Sequence, residues 1–171
     1  MFGLIKSVLT YSLVGKENTQ FNEVNLNTLV EEHLLVLKEL IKEKQVEIII
    51  TKLPIIRWEA EQLGMVFNNL ILNAIKYRSS KNCIIEINST KLKKENAWQF
   101  SVKDNGIEIG QEHLDKIFNN FTRLHNEENY EGTGRGLAIC QKIIERHNAR
   151  IWAESKLGDG STFHFVIPDS L

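Results

Sequence analysis

Three side chains on one face of a helix could do chemistry together. In LGMVFNNLILNAIKYR, residues 63–78, Asn69, Asn73 and Lys76 fall within an arc of roughly 60° at about 100° per residue, with Tyr77 at its edge. The stripe borders an apolar face of Leu63, Val66, Phe67, Leu70, Ile71, Ala74 and Ile75. Asparagine is a mediocre helix former, so two of them beside a buried face imply either a hydrogen-bonding task or a solvated margin. Amide oxygens are hard donors suited to Mg²⁺, and a lysine ammonium meets a phosphate as a point charge. The residues alone leave both readings open.

Two glycine-bearing stretches add to the row. In VKDNGIEIG, residues 102–110, Asp104 closes an alternating segment. Asn-Gly is a strong hairpin signal, but QEHLDKIF that follows has a helical pattern, so no partner strand arrives. At a strand end, the Asp104 carboxylate can accept a hydrogen bond from an amino group on a bound ring, with Gly106 letting the ring approach. In EGTGRGLAICQKIIERH, Gly132, Gly134 and Gly136 alternate with Thr133 and Arg135 and a helix starts at once. Backbone amides freed of side chains at a helix N-terminus form an anion site. No Gly-Lys-Ser/Thr follows and no strand feeds the glycines directly, so neither a P-loop nor a dinucleotide fingerprint is present. A flexible glycine hinge is the plain alternative.

These groups must be carried by elements that the hydrophobic pattern outlines. Residues 1–14 read as a helix with Phe2, Ile5 and Leu9 on one stripe, an apolar surface that calls for a partner. FNEV at 21–24 is an edge strand, and Asn25 or Asn27 caps a helix running to about Lys44. His33 lies in its apolar stripe and reads as a packed histidine, since no second ligand or base lies at helical spacing from it. Strands are expected at 46–50, 55–58, 83–90, 97–103, 149–155 and 161–167, and helices at 59–78, near 111–117 and at 136–147. Strands and helices mix without regular βαβ alternation. The expected class is α+β: helices on one face of a mixed sheet.

The chain has 171 residues, 42% hydrophobic and 25% charged, enough for one domain with a core and a short appendage. A net charge of −1 gives no broad basic field for nucleic acid or an anionic membrane. No apolar run approaches the roughly 18 residues that span a bilayer, and the N-terminus lacks the basic region and cleavage site of a signal peptide. Cys83 and Cys140 sit in apolar segments and read as reduced core residues, which fits a cytoplasmic protein.

The order of the pieces is more specific than any one of them. Asn-x-x-x-Asn on a helix, Asp-x-Gly at a strand end, IFNNFTR, GTGRGL and GDGSTFHFVIP follow one another. Over about residues 20–168 the chain resembles the ATP-binding catalytic domain of sensor histidine kinases, within the wider Bergerat-fold family that includes DNA gyrase and MutL. Residues 1–14, with a linker to 19, look like the end of the second helix of a dimerisation and phosphoacceptor domain. The resemblance implies a two-layer sandwich, a mostly antiparallel mixed sheet against about three helices, with a flexible lid over ATP. It implies Asn73 as the Mg²⁺ ligand, Asn69 near the phosphates, and Lys76 and Tyr77 flanking the nucleotide. Asp104 would read the adenine amino group, with Gly106 giving room for the ring. Phe118 and Phe121 would anchor the lid, and Arg123 would reach the phosphates. Gly132, Thr133, Gly134, Gly136 and Leu137 would form the phosphate cradle, and Thr162 would support Asp104.

Some positions depart from the family pattern. Relatives that hydrolyse ATP carry a water-activating glutamate four residues before the metal asparagine. Here Asn69 stands there and cannot act as a general base, which suits transfer of the γ-phosphoryl group to a positioned protein nucleophile. Glu108 stands where the second glycine of Asp-x-Gly-x-Gly is expected. If that position needs a positive φ, a side chain there costs about 1–2 kcal/mol and weakens ATP binding. HNA at 147–149 replaces His-Gly-Gly. None of the five histidines has the context of a phosphoacceptor. The nucleophile is therefore expected on a separate phosphoacceptor domain, with a response regulator as the next partner and a homodimer forming through residues 1–14. The severed helix at 1–14 reads as part of a longer kinase. The alternatives are a regulatory or docking module that no longer binds nucleotide, because of Glu108, and an ATPase of the gyrase or MutL type.

Overall fold

The computed structural model describes residues 21–79, 82–119 and 136–169. The expected helix at 1–14 lies outside them, as do Phe121, Arg123, Gly132, Thr133 and Gly134.

β1 (Asn22–Asn25) leads into α1 (Leu26–Val36) and α2 (Lys38–Glu43), then β2 (Val46–Ile50), β3 (Ile55–Trp58) and α3 (Ala60–Lys76). β4 (Cys83–Leu92) and β5 (Ala97–Asp104) follow, then a 3₁₀ turn at Gln111–His113, α4 (Gly136–Glu145), β6 (Arg150–Lys156) and β7 (Gly160–Pro168). β1 and β3 pair antiparallel in a small ribbon, while the main sheet runs β2-β4-β5-β7-β6. Only β2 and β4 are parallel there. The α+β sandwich expected from the sequence is the fold observed.

Strand periodicity decides which face is covered. Along β5, Phe100, Val102 and Asp104 are buried, whereas Gln99 and Ser101 are only half-buried and Lys103 is exposed. Phe100 is opposite Phe165 in β7, the rings stacked at 5.0 Å, and Phe67 of α3 meets them edge-on at 6.2 and 5.5 Å. The apolar stripe expected on α3 is the one that is buried: Leu63, Val66, Phe67, Leu70, Ile71, Ala74 and Ile75 are all 3% exposed or less. At about 1.5–3 kcal/mol per large aliphatic side chain, this contact fixes the helix on the sheet and with it the azimuth of its polar row.

Two details differ from the sequence expectation. The helix through 26–43 is interrupted at Leu37, where ψ is 2°, although neither glycine nor proline marks the place. The expected helix near 111–117 contracts to the 3₁₀ turn. His33 packs as expected. A Cβ on Gly64 of α3 would lie 2.2 Å from its Nε2, so the glycine makes room for the ring. Cys83 and Cys140 are free and buried, and burial pushes the Cys140 thiol up to about 12. Among the described residues no helix is long and apolar enough to cross a membrane.

Candidate functional site

Asp104 ends β5 on its covered face, paired with Ile85 on one side and Ser161 on the other. Its side chain is buried and receives two main-chain N–H groups, from Gly106 at 2.8 Å and from Ser161. Burial pushes its pKa up to about 6, outweighing the two N–H groups that favour the anion. At neutral pH the group is therefore an ionised acceptor held in an apolar wall. Such a carboxylate gains by meeting a hydrogen-bond donor.

The turn after Asp104 is tightly tied. A Cβ on Gly106 would lie 2.5 Å from the Tyr77 carbonyl oxygen, and Ile107 N–H donates to that same oxygen at 2.8 Å. The crowding at Gly106 thus comes from the end of α3, in addition to any ring that approaches from outside. The Asn105 side chain bonds Asn82 and Ile84 at the start of β4. On the far side, Ser155 Oγ of β6 accepts Ile109 N–H at 2.8 Å, donates to Gly160 O at 2.9 Å and lies 3.1 Å from Ser161 Oγ. Its one proton goes to Gly160 O and one lone pair to Ile109 N–H, with the second lone pair left to face Ser161 Oγ.

The expected strain at Glu108 is overturned. Among the described non-glycine residues a positive φ occurs at Gln45, Asn96 and Asn148, and Glu108 is not one of them. Glu108 is half-buried in ordinary backbone. Gly110 also has an ordinary φ of −57°, and the three atoms nearest a Cβ there all belong to the movable carboxylate of Glu112. The departure at 147–149 has a backbone explanation: Asn148 takes φ 54°, a left-handed turn that asparagine tolerates better than most residues.

Back along α3 from the Tyr77 carbonyl, which holds the turn after Asp104, runs the polar row. Asn69 donates its amide N–H to Met65 O at 2.9 Å, one turn back. Its Oδ1 points at the start of α4, 3.0 Å from where a Cβ of Gly136 would be. Gly136 therefore lets the N-terminus of α4 close on Asn69. Asn73, one turn on, is half-buried, and no described residue takes up its side-chain amide. Lys76 Nζ sits 4.7 Å from the centroid of the Tyr77 ring, and Tyr77 caps α3 through a main-chain N–H to Asn73 O. The row expected at Asn69, Asn73, Lys76 and Tyr77 is thus continuous with Asp104 through the Tyr77 carbonyl.

The remaining expected residues divide. Phe118 is buried and meets Phe163 edge-on at 6.4 Å, which suits an anchor for the chain beyond it. Leu137 is half-buried against the core at the start of α4. Thr162 is misplaced in the sequence reading. It stands opposite Lys103 and Glu154, and alternation turns it to the other face of the sheet. Ser161 is the residue opposite Asp104, buried, and its own N–H supports the carboxylate. Sequence reasoning also missed Asn105 and Ser155. Asn105 was visible as half of an Asn-Gly turn signal, whereas Ser155 carried no signal, because its role depends on strand register.

At the opposite end of α3 and α4 lies a second buried polar group. His147 Nε2 is 3.2 Å from Glu59 Oε1, with the Trp58 and Phe21 rings at 4.5 and 5.1 Å. Burial, helped by Arg146, holds the His147 pKa below the usual imidazole value. This group closes the core where β1 enters and touches none of the expected site residues.

Comparison with known proteins agrees with this geometry. Residues 59–171 match the model of the histidine kinase-, DNA gyrase B- and HSP90-like ATPase family. Phytochrome-like protein Cph1 of Synechocystis is 43% identical over 96% of this chain, and cyanobacterial phytochrome A of Nostoc is 45% identical over 96%. The chain spans only 22% and 21% of those relatives. The catalytic domain of histidine kinase ThkA superposes with a TM-score of 0.75 at 31% identity, over 88% of this chain and 97% of that one. ThkA in complex with the response regulator TrrA superposes at 0.76 and 30% identity, over 98% of this chain and 46% of that one. With a buried carboxylate at the end of the central strand, two asparagines on the helix packed against the sheet and a second helix opening on glycine beside Asn69, the chain belongs to the family of histidine kinase-, DNA gyrase B- and HSP90-like ATPases.

Proposed function

We propose that this chain is the ATP-binding catalytic domain of a sensor histidine kinase, and that it passes the γ-phosphoryl group of ATP to a histidine on a separate phosphoacceptor domain. The observation that carries the reading is Asp104: a buried acceptor with its pKa pushed up to about 6, at a strand end whose following turn is tied to the Tyr77 carbonyl at the end of the helix that carries Asn69, Asn73 and Lys76. Its carboxylate would accept the adenine amino group. Lys76 would place a point charge against the phosphates, and the main-chain amides where α4 begins would add their dipoles.

Mg²⁺ fits the donors present. Among the described residues no cluster of three or more His, Cys, Asp or Glu side chains could hold a metal alone. Asn73 offers one neutral hard oxygen, which suits a cation that shares phosphate oxygens and water rather than one caged by carboxylates. Bound there, the cation would neutralise charge on the phosphates that react.

Asn69 then decides the outcome of the reaction. Its amide is tied to Met65 O and has no basic lone pair to activate water. Water attack is left unassisted, and the γ-phosphoryl group waits for an imidazole nitrogen. That nitrogen would form the new P–N bond as the bond to the β,γ-bridging oxygen breaks and ADP departs. A response regulator would receive the phosphoryl group next. The alternative, a regulatory module without nucleotide, rests on Glu108 in place of a motif glycine, and the backbone strain that forms one part of that case is absent.

The test is titration calorimetry of the chain with Mg-ATP, followed by addition of a cognate phosphoacceptor domain and labelled ATP. Binding in the micromolar range, slow hydrolysis alone and label on a histidine of the added domain are expected. No heat of binding up to millimolar ATP would sink the reading. Fast steady-state hydrolysis by the chain alone would move it toward the hydrolase branch of the family.

A further inference from the structure

We infer that Asn105 is a positioning residue of the nucleotide site: its side-chain amide replaces a rung of the β4–β5 ladder, which frees its own main chain to turn beneath the base. The inference rests on the ATP-binding reading above and deepens it.

The last pair of the ladder is Ile85 with Asp104. One more step would keep residue 105 alongside β4. Instead the main chain leaves the sheet. Gly106 N–H turns back to the Asp104 carboxylate at 2.8 Å, and Ile107 N–H reaches the Tyr77 carbonyl at 2.8 Å. That departure would strip partners from the start of β4, where Ile84 N–H and Asn82 C=O need them. The Asn105 side chain supplies both. Its Oδ1 accepts Ile84 N–H at 2.9 Å and its Nδ2 donates to Asn82 O at 2.7 Å.

A primary amide is the side chain that reproduces the donor and acceptor of a peptide group. Aspartate would keep the acceptor and lose the donor, and alanine would lose both. The Asn105 carbonyl also accepts Ser79 Oγ at 3.3 Å, so Ser79, Asn82 and Ile84 are each held to residue 105. This clamp spaces the two ends of the site. The Asp104 carboxylate lies on one side of it, and Tyr77, directly after Lys76, lies on the other. The strand alone fixes the Asp104 main chain, but the angle of its carboxylate depends on the Gly106 and Ser161 N–H groups, and Asn105 fixes where the Gly106 N–H sits.

The consequence is a specificity effect. GTP presents a carbonyl where ATP presents an amino group, so discrimination between them reports the placement of the Asp104 carboxylate. The experiment is calorimetric titration of the chain, of Asn105→Ala and of Asn105→Asp with Mg-ATP and Mg-GTP, each at a temperature where melts show the protein folded. Asn105→Ala should bind Mg-ATP about tenfold more weakly and lose a similar factor of ATP-over-GTP preference, because it leaves two polar groups unpaired and the turn free. Asn105→Asp should fall between. A loss of stability alone would lower the melting temperature and leave the preference unchanged, and that result in folded Asn105→Ala overturns the inference. If Asn105→Ala does not fold, Asn105→Asp decides by the same ratio, and a preference equal to that of the native chain overturns it. Failure of the native chain to bind Mg-ATP would instead bring down the ATP-binding reading, and this inference with it.

Discussion

The two walls of the candidate site are built on opposite terms. Around Asp104 the polar groups have fixed partners: Gly106 and Ser161 on the carboxylate, Tyr77 on Ile107, Ser155 on Ile109, and Asn82 and Ile84 on Asn105. Along α3 the polar groups are spaced by one helix, and the contacts of Asn69 and Lys76 run to that helix and its cap. Asn69 holds Met65, Lys76 rests on its neighbour's ring, and no described residue takes up the Asn73 amide. The first wall is arranged before a ligand arrives and its partners are protein. The second is left for a ligand to complete. Preorganised groups give selectivity at low entropic cost, so base identity should be decided at Asp104 and affinity for the charged end along α3.

The sharpest way to break this contrast is Asp104→Asn. Losing a charged acceptor should weaken Mg-ATP about 100-fold, the upper range for a hydrogen bond to a charged group. The same change should stabilise the free domain. The folded pKa of about 6 lies above the ordinary aspartate value of 3.8, so the folded state binds the extra proton between those values and wild-type stability falls as pH rises through that window. At pH 7 the buried charge costs on the order of 2–3 kcal/mol, less whatever the two N–H groups lose in the variant. The variant should therefore melt several degrees higher at pH 7.5, with the difference closing by about pH 4. Equal melting temperatures at both pH values would mean that Asp104 is better solvated than its burial indicates.

Asn73→Ala tests the other wall. If Asn73 completes a cation shell, Mg-ATP affinity should fall about tenfold, while affinity for ATP in EDTA stays near its native value. Parallel losses with and without Mg²⁺ would mean that Asn73 bonds the nucleotide directly.

How much of this was visible in the sequence follows the same division. The row on α3 was legible because helical periodicity separates polar from buried positions without reference to the rest of the fold, and every apolar residue assigned to its covered face is buried. Asp104 was legible from its place at the end of an alternating run. Its supports were not. Ser161 and Thr162 are adjacent and chemically alike, and only the register with β5 says that Ser161 faces Asp104. Ser155 matters because β6 stands beside β7 in that register. The break at Leu37 has no breaker residue, so propensity could not show it. Gly106 was noticed, but its nearest obstacle, the Tyr77 carbonyl, lies 29 positions earlier in the chain.

A smaller effect is expected where the walls meet the third element. In Gly136→Ala the new methyl would lie 3.0 Å from Asn69 Oδ1, and helix propensity favours the alanine by up to about 1 kcal/mol. The Asn69 side chain can yield a few tenths of an ångström, but its bond to Met65 O then bends. Thermal stability should change little and Mg-ATP affinity should drop about threefold, on the order of 0.7 kcal/mol. A loss beyond about thirtyfold would show that the α4 N-terminus must close fully on Asn69 for phosphate to bind.

The smallest effect belongs to Glu108→Gly, the change that the sequence pattern marks as most consequential. Restoring a glycine helps only where the native residue is strained, and Glu108 has no positive φ to relieve. The substitution instead widens the conformational choice of the unfolded chain, worth up to about 1 kcal/mol against the folded state. Removing one half-buried carboxylate from a site that meets a triphosphate acts the other way, by reducing repulsion, and solvent screens it. These opposing terms should leave Mg-ATP affinity within about threefold of the native value, with a melting temperature equal or slightly lower. An increase of tenfold or more would place the Glu108 carboxylate against the phosphates in the bound state. The contrast between the two walls would then have to be redrawn, with the loop after Asp104 carrying an element that holds the nucleotide off as well as groups that receive it.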